Sequence, residues 1–257
     1  MINTPLSTNI GRFTGTSTST VIGFDFASTG TPFSPKSLFT EGKQGAWYDP
    51  SDLSTMFQDA AGTIPVTADG DPVALMRDKS GNGNHAVQTT SAARPVYKTD
   101  GISHWLAFDG VDDSFENIGT FGLKKQTFAI AYEQRSKGQV LLKPAGFTGN
   151  YRYFAGQLNG VDTAAGVSLT SLHVDSAAIA LPASSDAIYT EVMGKHVQYW
   201  VTDSTAEYLA TWSLGNYDNF MMFGDMYGLI FINTDTVTVV QKLQIEQYLA
   251  NKSGVTL

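Results

Sequence analysis

A short acidic segment is the first candidate for chemistry in this sequence. FDGVDD brings Asp109, Asp112 and Asp113 close together, and carboxylate oxygens at such spacing can bind calcium. The alternative is a hairpin turn, in which Asp-Gly supplies a positive φ and the later aspartates accept hydrogen bonds from backbone NH groups. We favour the turn, so we assign no metal-binding residues and no cofactor, and calcium remains the alternative.

Catalytic residues are not indicated. Glycoside hydrolysis needs two carboxylates at a controlled separation, and β-sandwich glucanases often supply them from one strand as Glu-x-Asp-x-x-Glu. No glutamate here has an aspartate two positions later; the glutamates are Glu41, Glu116, Glu133, Glu191, Glu207 and Glu246. A Gly-x-Ser-x-Gly nucleophile elbow is also missing. We therefore expect a protein that is not an enzyme, although carboxylates from separate strands could still meet.

The segment DKSGNGNHAVQ, at residues 78–88, could be a phosphate loop, a metal site or a turn. It lacks the Lys-Ser/Thr that follows the glycines of a phosphate loop, so no cofactor-binding residue is assigned. His85 has no partner at metal-ligand spacing, because the other histidines lie in separate segments: His104, His173 and His196. We expect a tight connection between strands, with Gly and Asn in left-handed conformations and with Asp78 and Ser80 bonded to backbone NH groups.

Aromatic rings beside polar side chains could form a sugar-binding surface. The chain has 11 tyrosines and 4 tryptophans, the latter being Trp47, Trp105, Trp200 and Trp212. Each ring is more often part of a sandwich core than of a binding surface. The sequence leaves open which of them face outward.

The composition excludes several classes of function. The formal net charge of −8 opposes binding to a phosphate backbone, so we expect no nucleic-acid partner. The lack of cysteine excludes disulfides, thiolate nucleophiles and cysteine-based zinc sites. No apolar run approaches the roughly 20 residues that span a bilayer, so we expect no membrane insertion. The first residues show no signal peptide, which predicts synthesis in the cytoplasm.

The elements that must position these residues are mostly short strands. Apolar segments separated by Gly, Asp and Asn predict strands at 104–110, 126–134, 139–146, 150–158, 188–193, 197–203, 208–214 and 220–232. Many short strands without interleaved long helices indicate an antiparallel sandwich. The long apolar run at 220–232 fits a central strand covered on both faces.

Helices are expected at two places. Asp-Pro-Ser-Asp predicts the start of a short helix with Leu53, Met56 and Phe57 on one face. The C-terminal segment predicts a second helix, with N-caps at 234–236 and a stop at Gly254. One face of this helix would carry Val240, Leu243, Gln247 and Ala250, while Ile245 and Leu249 lie off that face and predict contact with a second surface.

Residues 1–45 differ from the rest of the chain. They are rich in Ser, Thr, Gly and Pro, and their apolar residues are too widely spaced to form a core: Ile10, Phe13, Ile22, Phe24, Phe26, Phe33 and Phe39. The segment is either a disordered leader or an extended arm that docks on a neighbouring subunit. We favour the arm, and assign residues 46–257 to one globular domain.

The order of several motifs resembles a known family. DKSGNGNHA, then HWLAFDGVDDSF, then QTFAIAYEQ resemble the entry strands of concanavalin A-like, laminin-G-like jelly rolls. MYGLIFINTDTVTVVQKLQIEQYLANKSGV resembles the closing strand of that family, followed by its short helix. The lead-in WYDPSDLSTMFQDAAGTIPVTADGDPVALMR is similar to a version found in tailed-phage and prophage virion proteins. The resemblance covers roughly residues 46–257, and residues 136–215 fit it least.

The resemblance implies an all-β, two-sheet antiparallel jelly-roll sandwich with a short C-terminal helix and an extended N-terminal arm. Family members bind glycans or proteins, sometimes with calcium, and some are hydrolases, so function does not follow from the fold. The phage-like version implies a virion protein, such as a tail or head fibre, made in the bacterial host cytoplasm.

We expect the jelly roll to adhere to host-surface carbohydrate and the N-terminal arm to bind other virion proteins. Copies of the chain would form a homo-oligomer, by analogy a trimer. The alternative is a capsid decoration protein that binds no sugar. A less favoured alternative is an enzyme that degrades polysaccharide.

Overall fold

The structure is a computed structural model. It describes residues 32–122, 125–136, 140–144, 153–154, 157–158, 167–179, 188–189, 194–204, 209–217, 220–234 and 236–257. Phe33–Leu257 forms one compact unit. Most of the predicted arm lies outside the described residues, and its attachment role stays a prediction.

The described chain is mostly antiparallel β-structure. In chain order the strands are β1 (Gly45–Tyr48), β2 (Met56–Phe57), β3 (Leu75–Met76), β4 (Ala86–Val87), β5 (Val96–Thr99), β6 (His104–Asp109), β7 (Thr120–Gly122), β8 (Gln126–Gln134), β9 (Val140–Pro144), β10 (Tyr153–Phe154), β11 (Gln157–Leu158), β12 (Val167–Val174), β13 (Ala177–Ala178), β14 (Ile188–Tyr189), β15 (Gly194–Ser204), β16 (Leu209–Leu214), β17 (Asn216–Tyr217), β18 (Phe220–Met221) and β19 (Phe223–Ile232). One α-helix, α1, spans Val239–Ser253. Short 3-10 helices span Pro35–Gly42, Leu53–Thr55 and Ser91–Ala93.

Two larger sheets form the body of the fold. The large sheet has 8 strands in the order β13-β12-β15-β8-β19-β6-β5, and β1 also pairs with β19. The second sheet has 6 strands in the order β14-β11-β10-β9-β16-β7. Neighbouring strands in both sheets are often distant in sequence, as expected when a chain alternates between two layers. The predicted all-β antiparallel class with a C-terminal helix is confirmed.

The main core contains buried side chains from both larger sheets. Phe128 and Phe231 of the large sheet stack with ring centroids 4.5 Å apart. Trp212 of the second sheet lies against both rings, with centroids 5.4 and 5.8 Å away. Aromatic side chains bury large apolar areas, so this group accounts for much of the burial between the sheets. We call the opposite side of the large sheet its outer face.

Strand β19 is central, as the sequence predicts. It pairs with β8, β6 and β1, and every residue from Gly224 to Ile232 is buried. Its inner face meets the main core, while its outer face meets α1. A strand covered on both faces needs apolar residues at nearly every position, which explains its unbroken apolar run.

Helix α1 packs on the outer face where the sheet residues are small. Ala129 and Ala131 are fully buried beneath it, together with Ile245 and Leu249 of the helix. A Cβ atom added at Gly228 would lie 3.0 Å from Cδ2 of Leu249. The missing side chain at this position therefore lets the helix approach the strand closely.

The prediction of a helix that contains Leu53, Met56 and Phe57 is wrong. Only Leu53–Thr55 forms a 3-10 turn, and Asp52 makes no side-chain cap to it. Met56 and Phe57 instead pair with Met76 and Leu75 in a small sheet of β2, β3 and β4. The backbone hydrogen bonds of that sheet replace those of a second helical turn.

The start and the buried face of α1 also differ from the prediction. Thr238 is the N-cap, because it forms a capping box with Gln241, and the predicted caps at 234–236 precede the helix. Of the predicted face, Val240 and Leu243 are exposed, whereas Ala250 is buried together with Ile245 and Leu249. The apolar residues near the start of the helix are thus exposed, and the buried ones lie nearer its end. The predicted stop at Gly254 is confirmed, with φ of 76°.

Part of the predicted arm belongs to the compact unit. Leu38 and Phe39 of the 3-10 helix Pro35–Gly42 are buried in the outer-face apolar cluster, and Phe33 packs against it. The expectation that Phe33 and Phe39 dock on a neighbouring subunit is therefore wrong, because they pack on their own chain. The boundary expected between residues 45 and 46 falls inside the unit that begins at Phe33.

Candidate functional site

The segment at residues 78–88 is a structural connection between β3 and β4. Oδ1 of Asp78 accepts hydrogen bonds from the NH groups of Trp47 and Ser80, at 2.9 and 2.8 Å. Its Oδ2 accepts from the NH of Asn84 and the hydroxyl of Ser80. Oδ1 thus ties the loop to β1 while Oδ2 closes the loop on itself, which confirms the predicted tight connection.

Glycines and asparagines have different roles in this connection. Gly81 and Gly83 adopt positive φ angles of 96° and 78°, which glycine reaches without steric cost. The asparagines do not adopt such angles, so that part of the expectation is wrong. Instead, Nδ2 of Asn82 and Nδ2 of Asn84 donate to the carbonyl of Gly45, at 3.1 and 2.8 Å. These hydrogen bonds attach the loop to the start of β1, which makes its role structural.

A buried carboxylate, Asp49, joins this loop to the end of α1. Its Oδ2 lies 3.2 Å from Nζ of Lys79 and 3.1 Å from Nζ of Lys252, and it accepts a hydrogen bond from Tyr248 at 2.8 Å. Its Oδ1 accepts from the NH and hydroxyl of Ser51. Burial alone would raise its pKa, but the hydrogen bond from Ser51 and the two lysine charges lower the pKa to about 2. Both oxygens of Asp49 are occupied by groups of the same fold, so this network is structural.

The acidic segment after β6 is a turn, as favoured from the sequence. Gly110 has φ of 79°, and Oδ1 of Asp109 accepts from the NH groups of Val111 and Asp112. Oδ2 of Asp113 accepts from the NH of Asp109 at 2.9 Å. The expected hairpin is wrong, because β6 pairs with β5 and β19 while the next strand, β7, belongs to the second sheet.

The same turn holds the candidate calcium ligands. Carboxylate oxygens of Asp109, Asp112 and Asp113 all lie within 4.8 Å of one another. Burial raises the pKa of Asp113 to about 6, and the charges of Asp109 and Asp112 act in the same direction. The hydrogen bond from the NH of Asp109 lowers the pKa but does not outweigh them. A cation would relieve this repulsion, but Asp109 and Asp113 already accept backbone hydrogen bonds. Calcium binding at this turn therefore stays the untested alternative to a purely structural turn.

Each histidine has Nδ1 within hydrogen-bond distance of a protein group: His85 with the NH of Asp78, His104 with the hydroxyl of Tyr97, His173 with Ser171, and His196 with Asp175. These are local contacts within four different parts of the fold. Within the described residues, only the side chains of the acidic turn lie close enough together to share a metal ion. The histidines therefore do not converge on a site.

The structure answers which tryptophan faces outward. Trp47, Trp200 and Trp212 are buried, with 7%, 2% and 0% of their surfaces exposed. Trp105 is partly exposed on the outer face, where its ring centroid lies 5.6 Å from that of Tyr227, with the ring planes at 36°. Of the four candidates, Trp105 is therefore the one that a ligand could contact.

Charged residues from neighbouring strands lie beside Trp105. Asp225 is directly opposite Glu133, and Glu133 is directly opposite Lys195. Opposite residues project to the same face, so a row of charged side chains crosses β19, β8 and β15. We call the group formed with these residues the outer-face cluster: Trp105, Glu133, Arg135, Lys195, Asp225 and Tyr227.

An irregularity in β19 places Tyr227 in this cluster. Met226 pairs with Tyr132 and Gly228 pairs with Ala131, so Tyr227 is an extra residue without a partner in the ladder. Such a bulge changes the alternation of side chains between the faces. It puts Tyr227 on the outer face beside Asp225 and leaves the adjacent Gly228 to receive α1.

The members of the cluster contact one another closely. Nη2 of Arg135 lies 2.5 Å from Oδ2 of Asp225. The hydroxyl of Tyr227 donates to Oε2 of Glu133 at 3.4 Å, and Nζ of Lys195 lies 4.3 Å from the centroid of the Tyr227 ring. Burial and the charges of Asp225 and Glu133 raise the pKa of Tyr227, which keeps its hydroxyl a donor. The cluster therefore combines aromatic surface with anionic and cationic groups.

Asp225 is the unusual member. Its side chain is 2% exposed, whereas that of its partner Arg135 is 42% exposed. Its Oδ1 is buried and has no hydrogen-bond partner among the described residues. Burial and the charge of Glu133 raise the pKa of Asp225 to about 6, although Arg135 and Lys195 act in the opposite direction. Raised carboxyl pKa values with an unmet hydrogen bond are more common at functional sites than in cores.

Sequence reasoning named Trp105 and Glu133 among larger sets but did not bring the cluster together. Arg135, Lys195, Asp225 and Tyr227 were not singled out at all. The available signal was an aspartate at position 225 within the apolar run that predicts a doubly covered strand. A charge at such a position needs a partner or a function.

Protein-family models, curated proteins and solved structures all give no match to this chain. No helix among the described residues is both long and apolar enough to cross a bilayer. The proposals below are therefore built on the residues and their geometry, together with the resemblance in motif order.

Proposed function

We propose that the protein is a non-enzymatic surface protein of a phage virion that adheres to host-surface carbohydrate through the outer-face cluster. The observation that carries this proposal is the partly exposed Trp105, which lies beside carboxylate, guanidinium, ammonium and phenol groups on one sheet face. Sugars present both apolar CH faces and polar hydroxyls. An aromatic ring next to hydrogen-bonding side chains suits both.

The virion setting is supported by the resemblance and by the all-β sandwich. The finer fold that we propose is a concanavalin A-like jelly roll, whose outer face is displayed to the host. Residues 1–31 would attach the protein to other virion proteins, and copies would associate as a homo-oligomer, by analogy a trimer. A protein used in many copies can tolerate weak single sites, because linked sites bind with greater total affinity.

Binding to an array of host-envelope glycans tests the adhesive function. We expect the full chain to bind, and Trp105→Ala to weaken binding at least about tenfold, because tryptophans at binding surfaces carry much of the affinity. The matched control is Phe57→Ala, which removes a partly buried ring under Arg77, 4.4 Å from its guanidinium carbon and outside the cluster. Equal binding by Trp105→Ala and Phe57→Ala would exclude the cluster as the sugar-binding surface.

Deletion of residues 1–31 tests the attachment arm. This limit is preferable to residue 45, because a longer deletion removes Leu38 and Phe39 from the outer-face apolar cluster. We expect the shortened protein to fold, which a cooperative thermal unfolding transition would show. We also expect it to be missing from purified particles. Normal incorporation of the shortened protein would show that attachment uses another part of the chain.

One observation favours the decoration alternative. Val239, Val240 and Leu243 of α1 are 74%, 56% and 38% exposed, and exposed apolar residues of this kind are typical of protein contacts. A decoration protein would place this helix against a capsid subunit and would bind no glycan. Imaging of the particle distinguishes the two, because an adhesin displays the outer-face cluster to solvent.

Another observation favours the enzyme alternative. Glu133 and Asp225 are directly opposite on adjacent strands, so their carboxyl groups project to the same face, as the two carboxyl groups of a glycosidase must. Hydrolysis also needs carboxyl groups free to exchange protons with the substrate, whereas Arg135 holds Asp225 and Tyr227 donates to Glu133. We therefore keep the binding function. Release of reducing sugar from host capsule would overturn it in favour of hydrolysis.

A further inference from the structure

We propose that the outer-face cluster selects an uncharged, hydroxyl-rich sugar residue and that Oδ1 of Asp225 accepts a hydrogen bond from one of its hydroxyls. This inference deepens the proposed function and rests on it. It names the class of sugar and the residue that sets specificity, which the presence of Trp105 alone does not.

The unmet hydrogen bond of Asp225 points to a donor on the ligand. Arg135 occupies Oδ2, while Oδ1 is buried without a partner among the described residues. Buried polar atoms in proteins are nearly always paired, so this oxygen calls for a hydrogen-bond donor that the described residues do not supply. An acceptor can be satisfied only by an OH or NH group. A sugar hydroxyl can therefore bond to Oδ1 while Arg135 stays on Oδ2.

The charge balance of the cluster argues against a charged sugar. Two carboxylates, Glu133 and Asp225, are matched by two cations, Arg135 and Lys195. Arg135 is bonded to Asp225, and Lys195 lies over the Tyr227 ring and opposite Glu133. An acidic sugar would draw Arg135 away and leave a buried carboxylate unpaired, which is costly. An amino sugar would compete with Arg135 for the same carboxylate. An uncharged hydroxyl disturbs neither pair.

Two side chains near Asp225, Arg135 and Phe223, are exposed to solvent. Arg135 is the exposed member of the ion pair, and its guanidinium carbon lies 6.0 Å from the ring centroid of Phe223. Phe223 is itself 37% exposed and precedes Asp225 by two positions, on the same face of β19. Rotation of Phe223 would admit a hydroxyl to Oδ1 while Arg135 keeps its bond to Oδ2, without changing the strand pairing.

Glycan affinity should depend on the ionisation of Asp225, whose pKa burial raises to about 6. The groups facing it are Glu133 of β8, Arg135 directly after β8, Lys195 of β15 and Tyr227 of its own strand, and β6 places the uncharged Ala107 opposite. A carboxylate accepts a hydrogen bond more strongly than a carboxylic acid does. Affinity for an uncharged sugar should therefore be constant above pH 7 and decrease as the pH falls through about 6.

The test uses the full chain with three sets of oligosaccharides of matched length: uncharged, acidic and amine-bearing. Asp225→Asn should weaken binding of the uncharged set about 10- to 100-fold, the effect of one hydrogen bond to a charged group. The matched control is Glu246→Gln, another buried carboxylate on α1, with one oxygen bonded to Lys242 and the other unpaired among the described residues. It should leave affinity unchanged. Both variants should remain folded, and thermal unfolding of each variant checks this.

The outcomes separate the two proposals. Preference for the acidic or amine-bearing set, or wild-type affinity in Asp225→Asn, overturns this inference but leaves the adhesive function in place. Failure of the wild-type chain to bind any set overturns both. If Asp225→Asn does not fold, the pH profile of the wild-type chain decides, and an affinity that stays constant from pH 5 to 8 overturns the inference.

Discussion

Replacing Asp49 by Asn should destabilise the fold by about 2 to 3 kcal/mol at pH 7. The pKa of Asp49 is about 2 in the folded chain, against an ordinary value of 3.8. A difference of that size corresponds to about 2.4 kcal/mol, at 1.36 kcal/mol for each pKa unit. The side chain is only 4% exposed, so solvent screening does not reduce this value much.

The pH dependence identifies the cause. A folded-state pKa below the unfolded one gives stability that is present above about pH 4 and is lost as the pH falls to about 2. The asparagine variant cannot titrate at this position. The difference in unfolding free energy between wild type and variant should therefore shrink below pH 4, while the contributions of groups that do not interact with Asp49 cancel.

Urea unfolding at pH 7, pH 4 and pH 2 measures this difference directly. The matched control is Asp52→Asn, because Asp52 contacts the same lysine, Lys79, at 2.7 Å but has a side chain that is 34% exposed. Exposed ion pairs contribute about 0 to 1 kcal/mol and are screened by salt. Equal losses of stability in the two variants would refute the conclusion that the buried Asp49 carboxylate stabilises the fold. A difference between wild type and Asp49→Asn that does not change with pH would refute it as well.

Three further substitutions test other parts of the fold, each by urea unfolding. Asp113→Asn should stabilise the chain at pH 7 by about 1 to 3 kcal/mol, because the folded-state pKa near 6 makes the ionised form unfavourable. The gain in unfolding free energy should disappear by about pH 4. Millimolar calcium should leave the stability of wild type and variant unchanged, and stabilisation of the wild type alone would establish a calcium site. Gly228→Val should cost about 1 to 3 kcal/mol, since its Cβ would already lie 3.0 Å from Leu249; no loss would show that α1 does not need this close approach. Thr238→Ala should cost about 1 kcal/mol by removing the capping box, and the same cost for Thr236→Ala would contradict the observed helix start.

Elements with a local pattern were predictable from the sequence. Strand β8 occupies the predicted residues, 126–134, because its apolar run is bounded by polar residues. The connection at 78–88 was also predictable, since Asp78 and Ser80 satisfy backbone groups within the same short segment. The stop of α1 followed from Gly254, whose left-handed conformation is a local property.

The buried face of α1 was not predictable in the same way. Val240 and Leu243 form an apolar stripe in the sequence, but the sheet packs on Ile245 and Leu249 instead. Which face is buried depends on where the helix begins relative to the sheet. That position is fixed by contacts distant in sequence, such as Tyr248 with Asp49.

The outer-face cluster escaped prediction for a similar reason. Its residues come from β6, β8, β15 and β19, which are neighbours in the sheet in an order unlike their order in the chain. A search for paired carboxylates along one strand finds none, yet Glu133 and Asp225 meet across two strands. The register that brings them together includes a bulge at Tyr227, and the sequence carries no distinct signal for it.

The position of α1 and the availability of the cluster are linked. Small residues at Ala129, Ala131 and Gly228 allow the helix to lie close to one part of the outer face. Its last turn is held through the ion pair of Lys252 with Asp49. We therefore expect a substitution at Asp49 that loosens α1 to reduce glycan affinity as well. Asp49 contacts no member of the cluster in the described interactions, so the effect would have to pass through the helix.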